Sequence, residues 1–257
     1  MADTLAFEIS GAGDPVLFIH GLGGTGNVFG PQVGVLSRFF TCVRFDLPGA
    51  GQSALGAVRT MDDLVLATLS VLEQAGIDQP VHIIAHSMGT VVAQHLALRA
   101  PERVRSLSLI GPVHAPAEAG RKGLQARAAT ARNEGLTGIA DQIVAGGTSA
   151  DTKAHRPEIA AFVRELVMRQ PAAGYAQHCE ALAGVEAADV SQIGVPALLI
   201  TGDEDNTSPS PACAALASKF PDAELLILDR TGHWTTLERP GEVNQALVNF
   251  LFGRALG

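Results

Sequence analysis

The sequence predicts an α/β protein, a mostly parallel central sheet with helices on both faces and a helical cap insertion. Three observations predict it. Short apolar runs and helical stretches alternate along the chain, the order that builds a parallel sheet covered on both sides. Most of the runs are continuously apolar rather than alternating, as strands buried on both faces must be. One long segment, from about Pro112 to Asp189, is alanine-rich and holds no strand-like run.

The first strand expected is Val16-Leu17-Phe18-Ile19, after a Gly-Asp-Pro turn, and Thr41 to Phe45 is the second. Asp62 to Gln74 places Leu64, Val65, Thr68, Leu69 and Leu72 on one helical face, with Gly76 as a stop. Val81 to Ala85 is a strand, and Met88 to Arg99 a buried helix that ends before Pro101. Leu107 to Ile110 closes the first half. The insertion reads as short helices at Gln125–Asn133, Ile139–Val144, Pro157–Arg169 and Gly174–Ala183. Strands at Ala197–Ile200 and Leu225–Leu228 and a helix at Glu242–Phe252 follow. The expected division is a core of residues 1–112 and 190–257 carrying a cap of residues 113–189.

With 47% hydrophobic and 17% charged residues the chain can bury a large core, which excludes intrinsic disorder. A net charge of −8 argues against a nucleic-acid partner. Cys42, Cys179 and Cys213 are too scattered for a disulfide framework or a zinc ribbon and suit a reducing compartment. Met1 to Leu5 shows no leader pattern, and the uncharged stretch Val81–Leu98 is too polar to span a membrane. A cytoplasmic protein without metal or cofactor is expected.

The chemistry concentrates at strand ends, where ligands bind in such sheets. Ala85-His86-Ser87-Met88-Gly89 joins a strand to a helix through a tight turn, which holds the Ser87 hydroxyl clear of the sheet. A serine hydroxyl needs a base to take its proton. His233, in the Arg230-Thr231-Gly232-His233 loop just past the last strand, is best placed among the histidines; His20, His82, His86, His95, His114, His155 and His178 read as core or solvent-facing. The acid should follow Ala197–Ile200, where Asp203, Glu204 and Asp205 are all available.

These features resemble the capped α/β-hydrolases along nearly the whole chain. Asp46-Leu47-Pro48-Gly49-Ala50-Gly51-Gln52-Ser53 resembles their D-x-x-G-x-G-x-S turn, and Gly232-His233 with Glu238-Arg239-Pro240 their histidine loop. Gly202-x-x-Asp205-x-x-x-Pro209 resembles their acid loop, and this selects Asp205. His20-Gly21 resembles their oxyanion loop. The implied oxyanion donors are the backbone N–H groups of Leu22 and Met88. Trp234 is the expected substrate-binding residue.

Serine at the elbow disfavours dehalogenases and epoxide hydrolases, which carry aspartate there. Met168 to Leu182 resembles the end of the cap in 3-oxoadipate enol-lactonases, implying a small-molecule ester or lactone as substrate. Gly232-His233-Trp234 also resembles meta-cleavage-product hydrolases, which break a carbon–carbon bond. A third reading is a hydrolase-fold receptor for a small ligand. Arg121, Arg127, Arg164 and Arg169 of the cap could each hold a carboxylate or simply face solvent.

Overall fold

The computed structural model describes residues 5–255, so the expectation about Met1 to Thr4 lies outside the described residues. The first half runs β1 (Phe7–Ser10), β2 (Pro15–Ile19), α1 (Gly30–Leu36), β3 (Thr41–Phe45), α2 (Met61–Gln74), β4 (Val81–His86), α3 (Met88–Arg99) and β5 (Val104–Ile110). Five helices come next: α4 (Glu118–Glu134), α5 (Thr137–Gly147), α6 (Ala150–His155), α7 (Pro157–Met168) and α8 (Ala172–Gly184). The chain then returns to the sheet as β6 (Ala197–Gly202), α9 (Ser210–Ala217), β7 (Ala223–Leu228), α10 (Thr235–Glu238) and α11 (Pro240–Ala255).

The strands pair in the order β1-β3-β2-β4-β5-β6-β7, with β1 antiparallel to β3 and every other pairing parallel. From β2 the chain goes to β3 on one side and then to β4 on the other. The strand order therefore reverses between β2 and β4, where open sheets leave a crevice at their carboxyl ends. Ser87 lies there.

Period-two alternation sends the β2 side chains into two cores. Leu17 and Ile19 pack with Leu64, Leu72, Val91 and Leu96 from α2 and α3, whereas Val16 and Phe18 pack with Leu36, Val243 and Leu247 from α1 and α11. Thr60 starts α2 with a capping box: its hydroxyl accepts from Asp63 N–H, and the Asp63 carboxylate accepts from Thr60 N–H.

The structure corrects the sequence reading in several places. Leu225–Leu228 reads as a two-sided buried strand, yet in β7 Leu225 and Ile227, two residues apart on one face, are 36% and 43% exposed, because that face is left uncovered. β1, α1, α6, α9 and α10 lie where the sequence reading places no element. β1 is short and polar, and α6 is a single polar turn-and-a-half without apolar periodicity. α4 begins at Glu118, well before Gln125; its early turns present Arg121 to the Ala183 and Val185 carbonyls, at 2.6 Å each, rather than an apolar stripe. Among the described residues no helix is long and apolar enough to cross a membrane.

His82, His86 and His178 are buried, and burial pushes their pKa values down to about 4, 3 and 4. Below pH 6.5 the unfolded chain therefore binds protons that the folded chain refuses, and stability falls as pH falls towards 4. Each such group removes about 1.4 kcal/mol per pH unit in that window, so urea unfolding at pH 5 should show several kcal/mol less stability than at pH 7. An unchanged unfolding free energy would show that these imidazoles accept protons inside the fold.

Candidate active site

β4 ends at His86 and α3 begins at Met88, leaving Ser87 alone in the turn at φ 53° and ψ −122°. A non-glycine residue in such a region costs about 1–3 kcal/mol and persists only where its surroundings fix it. Ser87 N–H donates to the Ile110 carbonyl at 2.9 Å, and the Ser87 carbonyl accepts from Thr90 N–H at 2.8 Å. A Cβ on Gly89 would sit 2.3 Å from the Ile19 carbonyl oxygen, so only glycine lets α3 press this closely on β2.

His233, in the loop after β7, brings Nε2 to 2.8 Å from Ser87 Oγ and Nδ1 to 2.8 Å from Asp205 Oδ2. The network assigns the neutral tautomer: Nδ1–H donates to Asp205, and Nε2 accepts from the Ser87 hydroxyl. Asp205 Oδ1 accepts from the Thr207 and Ser208 N–H groups, each at 2.8 Å. Burial alone would raise the Asp205 pKa, but His233 and these amides outweigh it and hold the carboxyl below its ordinary value.

The neighbouring carboxylates have other partners. Asp203 accepts from Thr231 N–H at 3.0 Å, and Glu204 accepts from Ala150 N–H at 2.7 Å where α6 begins. Asp205 is the one of the three that meets His233.

Gly21, after β2, lies directly against Ser87. His20 secures that loop, with Nδ1–H donating to the Gly21 carbonyl at 2.8 Å and Nε2 accepting from Leu47 N–H at 2.9 Å. Among the described residues no protein acceptor takes the Leu22 or Met88 N–H, the two expected oxyanion donors. Such donors lower the energy of a charge that develops on a carbonyl oxygen beside Ser87.

Above Ser87 and His233 opens a cavity of about 580 Å³, walled by Leu22, Val113, Leu124, Ile143, Leu182 and Trp234 among others. That volume suits a small organic molecule. Trp234 is 2% exposed, and its ring lies 5.4 Å from that of His86.

The sequence profile of the Alpha/beta hydrolase family matches residues 16–246. The chain belongs to that family. This alpha/beta hydrolase is similar, at 26% identity over 96% of its own chain and 94% of the relative, to (E)-2-((N-methylformamido)methylene)succinate hydrolase from Acinetobacter baylyi. A thermophilic esterase from Thermogutta terrifontis superposes with TM-score 0.93 at 26% identity, over 97% of this chain and 93% of the other. The enol-lactonase from Burkholderia xenovorans gives TM-score 0.90 at 26% identity, over 96% of both chains. The fold is the α/β-hydrolase fold, and the protein is a hydrolytic enzyme.

Several residues that shape the site of this hydrolase carry little sequence signal. Gly111, at φ 55°, ends β5; a Cβ there would lie 2.9 Å from His233 Cε1 and displace the ring. His86 Nε2–H donates to the His233 carbonyl at 2.8 Å, and burial, reinforced by His233, keeps it uncharged. Glu238 is fully buried. Its carboxylate accepts from Gly232 and Trp234 N–H in the histidine loop, and from Ser149 N–H and the Thr152 hydroxyl beside α6. His233 N–H donates to the Gly147 carbonyl of α5 at 2.8 Å. The inserted helices and the histidine loop are thus tied together. Glycine at the end of a buried strand, and glutamate five residues after a loop histidine, are the only signals the sequence offers for them.

Proposed function

We propose that the protein is a serine hydrolase that cleaves a small carboxylic ester or lactone through an acyl-enzyme. Ser87 is the nucleophile, His233 the base and Asp205 the acid that orients it. The observation that carries this reading is the continuous line from Ser87 Oγ through His233 to Asp205, with both contacts 2.8 Å, beneath a cavity.

In this mechanism His233 Nε2 takes the hydroxyl proton as Ser87 Oγ attacks the carbonyl carbon. The oxyanion is received by the Leu22 and Met88 N–H groups. His233 then gives the proton to the leaving oxygen, and the carbon–oxygen bond breaks. Water, losing its proton to His233, attacks the acyl-enzyme, and the proton returns to Ser87 as the acid leaves. Asp205 holds the Nδ1–H tautomer and stabilises the imidazolium.

Residues 113–189 act as a cap on a core of residues 1–112 and 190–257, and Trp234 is a substrate-binding wall of the pocket. A cytoplasmic setting suits the three buried, unpaired cysteines. The similarity to an esterase and to an enol-lactonase favours carbon–oxygen cleavage. The test is competition between lactones and aryl esters and a meta-cleavage product. The oxygen substrates should win in kcat/KM by about tenfold, 1.4 kcal/mol in the transition state. A tenfold preference for the diketone would reverse the assignment, and no turnover of any would favour a receptor.

A further inference from the structure

We infer that Arg127 binds a carboxylate of the substrate, so that the natural ester or lactone is an anion carrying a carboxylate away from its scissile bond. This inference rests on the hydrolase reading above and names its substrate class.

Seven of the eight Lys and Arg residues of 113–189 meet a carbonyl or a carboxylate. Arg121 donates to the Ala183 and Val185 carbonyls, and Lys153 to that of Ala145. Lys122 pairs with Glu118, Arg132 with both oxygens of Glu180, Arg156 with Glu158, Arg164 with Asp141 and Arg169 with Glu165. Arg127 is the exception. Among the described residues it forms no ion pair, and it lines the cavity that holds Ser87 and His233.

Among the described residues no Asp or Glu belongs to the cavity wall, which is otherwise largely apolar. The ionisable groups beside Arg127 are the Tyr175 phenol and the Cys179 thiol, both pushed upward by burial and therefore uncharged. Tyr175 Oη is itself buried without a well-aligned hydrogen-bond partner. A half-buried arginine on this largely apolar cavity wall, with no counterion among the described residues, is an incomplete ion pair. Its planar fork matches a carboxylate with two parallel hydrogen bonds.

The net charge of −8 runs against anion binding by long-range attraction. Selectivity for an anion must then come from a local contact, which is what a single cavity-facing arginine supplies. The solvated-face alternative applies to Arg164 and Arg169, whose partners lie on exposed helix surface.

The experiment compares charged esters with neutral ones of equal length. Monomethyl glutarate is set against methyl valerate, and 4-acetoxybutanoate against butyl acetate, so that the carboxylate lies on either side of the scissile bond. Wild-type protein should favour at least one charged ester by about tenfold or more in kcat/KM. Arg127→Gln should abolish that preference mainly through KM, with the neutral esters changed by no more than about threefold, and Arg127→Lys should be intermediate. The preference should shrink as salt is raised. Equal loss on charged and neutral esters, or a wild-type preference for both neutral esters, overturns the inference.

Calorimetric titration with glutarate separates the two readings. If no ester is hydrolysed, the hydrolase assignment fails, yet glutarate binding that weakens about tenfold in Arg127→Gln still upholds the anion site. Glutarate binding that is absent, or unchanged by the substitution, rejects it.

Discussion

Ser87→Ala should lower kcat for ester hydrolysis by ~10⁴–10⁶-fold while leaving the fold intact. In the proposed mechanism the serine oxygen is the atom that becomes bonded to the acyl group, so its removal abolishes the covalent route altogether. What survives is substrate binding and the Leu22 and Met88 donors, which act on attack by water. The fold should tolerate the change, since the bonds that hold the elbow, from Ser87 N–H to Ile110 and from Thr90 N–H to Ser87, belong to the backbone. Wild-type protein should take one equivalent of a fluorophosphonate on Ser87, and the variant none. Label on another serine, or unchanged hydrolysis by a folded variant, would remove Ser87 from the mechanism.

Much of this site was legible in the sequence because each part sits where a strand ends. Ser87 follows β4, Asp205 follows β6 and His233 follows β7, and apolar runs bounded by glycine or charge mark those ends plainly. The parallel core was legible for the same reason: β2 and β6 are buried on both faces and carry unbroken apolar runs, and the buried run of β4 is interrupted within Val81–Ala85 only by His82. What was hidden depends on contacts between distant segments. Asp203, Glu204 and Asp205 are equivalent by composition, and they differ only in which partner the fold brings to each. Glu238 reads as part of a motif, but its bonds to Ser149 and Thr152 exist only once the inserted helices are seated. Four cap arginines look alike in the sequence; in the fold Arg121 meets carbonyls, Arg164 and Arg169 meet carboxylates, and Arg127 has only the uncharged Tyr175 and Cys179 beside it. β7 misled because a run of leucine and isoleucine does not say whether a second face will be covered.

Asp205→Asn should cost ~10⁴-fold in kcat, whereas Asp203→Asn and Glu204→Gln should cost about tenfold or less. The reason lies in how the carboxylate is already held. Oδ1 accepts from two backbone N–H groups, of Thr207 and Ser208, at 2.8 Å each. An asparagine must keep its oxygen there, because its NH₂ would otherwise face two donors. Its NH₂ is thereby turned towards His233 Nδ1, and a donor at that place requires Nδ1 to be the acceptor. The ring must then carry its proton on Nε2, pointing at Ser87 Oγ, in the tautomer that cannot accept the hydroxyl proton. The loss therefore comes from a reversed hydrogen bond as much as from a lost charge. Asp203 and Glu204 act on Thr231 and Ala150 and leave that tautomer alone. Nitrogen-15 spectra of the imidazole should report the proton on Nδ1 in the wild type and on Nε2 in Asp205→Asn. If Asp203→Asn proves the crippling change, or the tautomer is the same in both proteins, Asp205 is not the residue that orients His233.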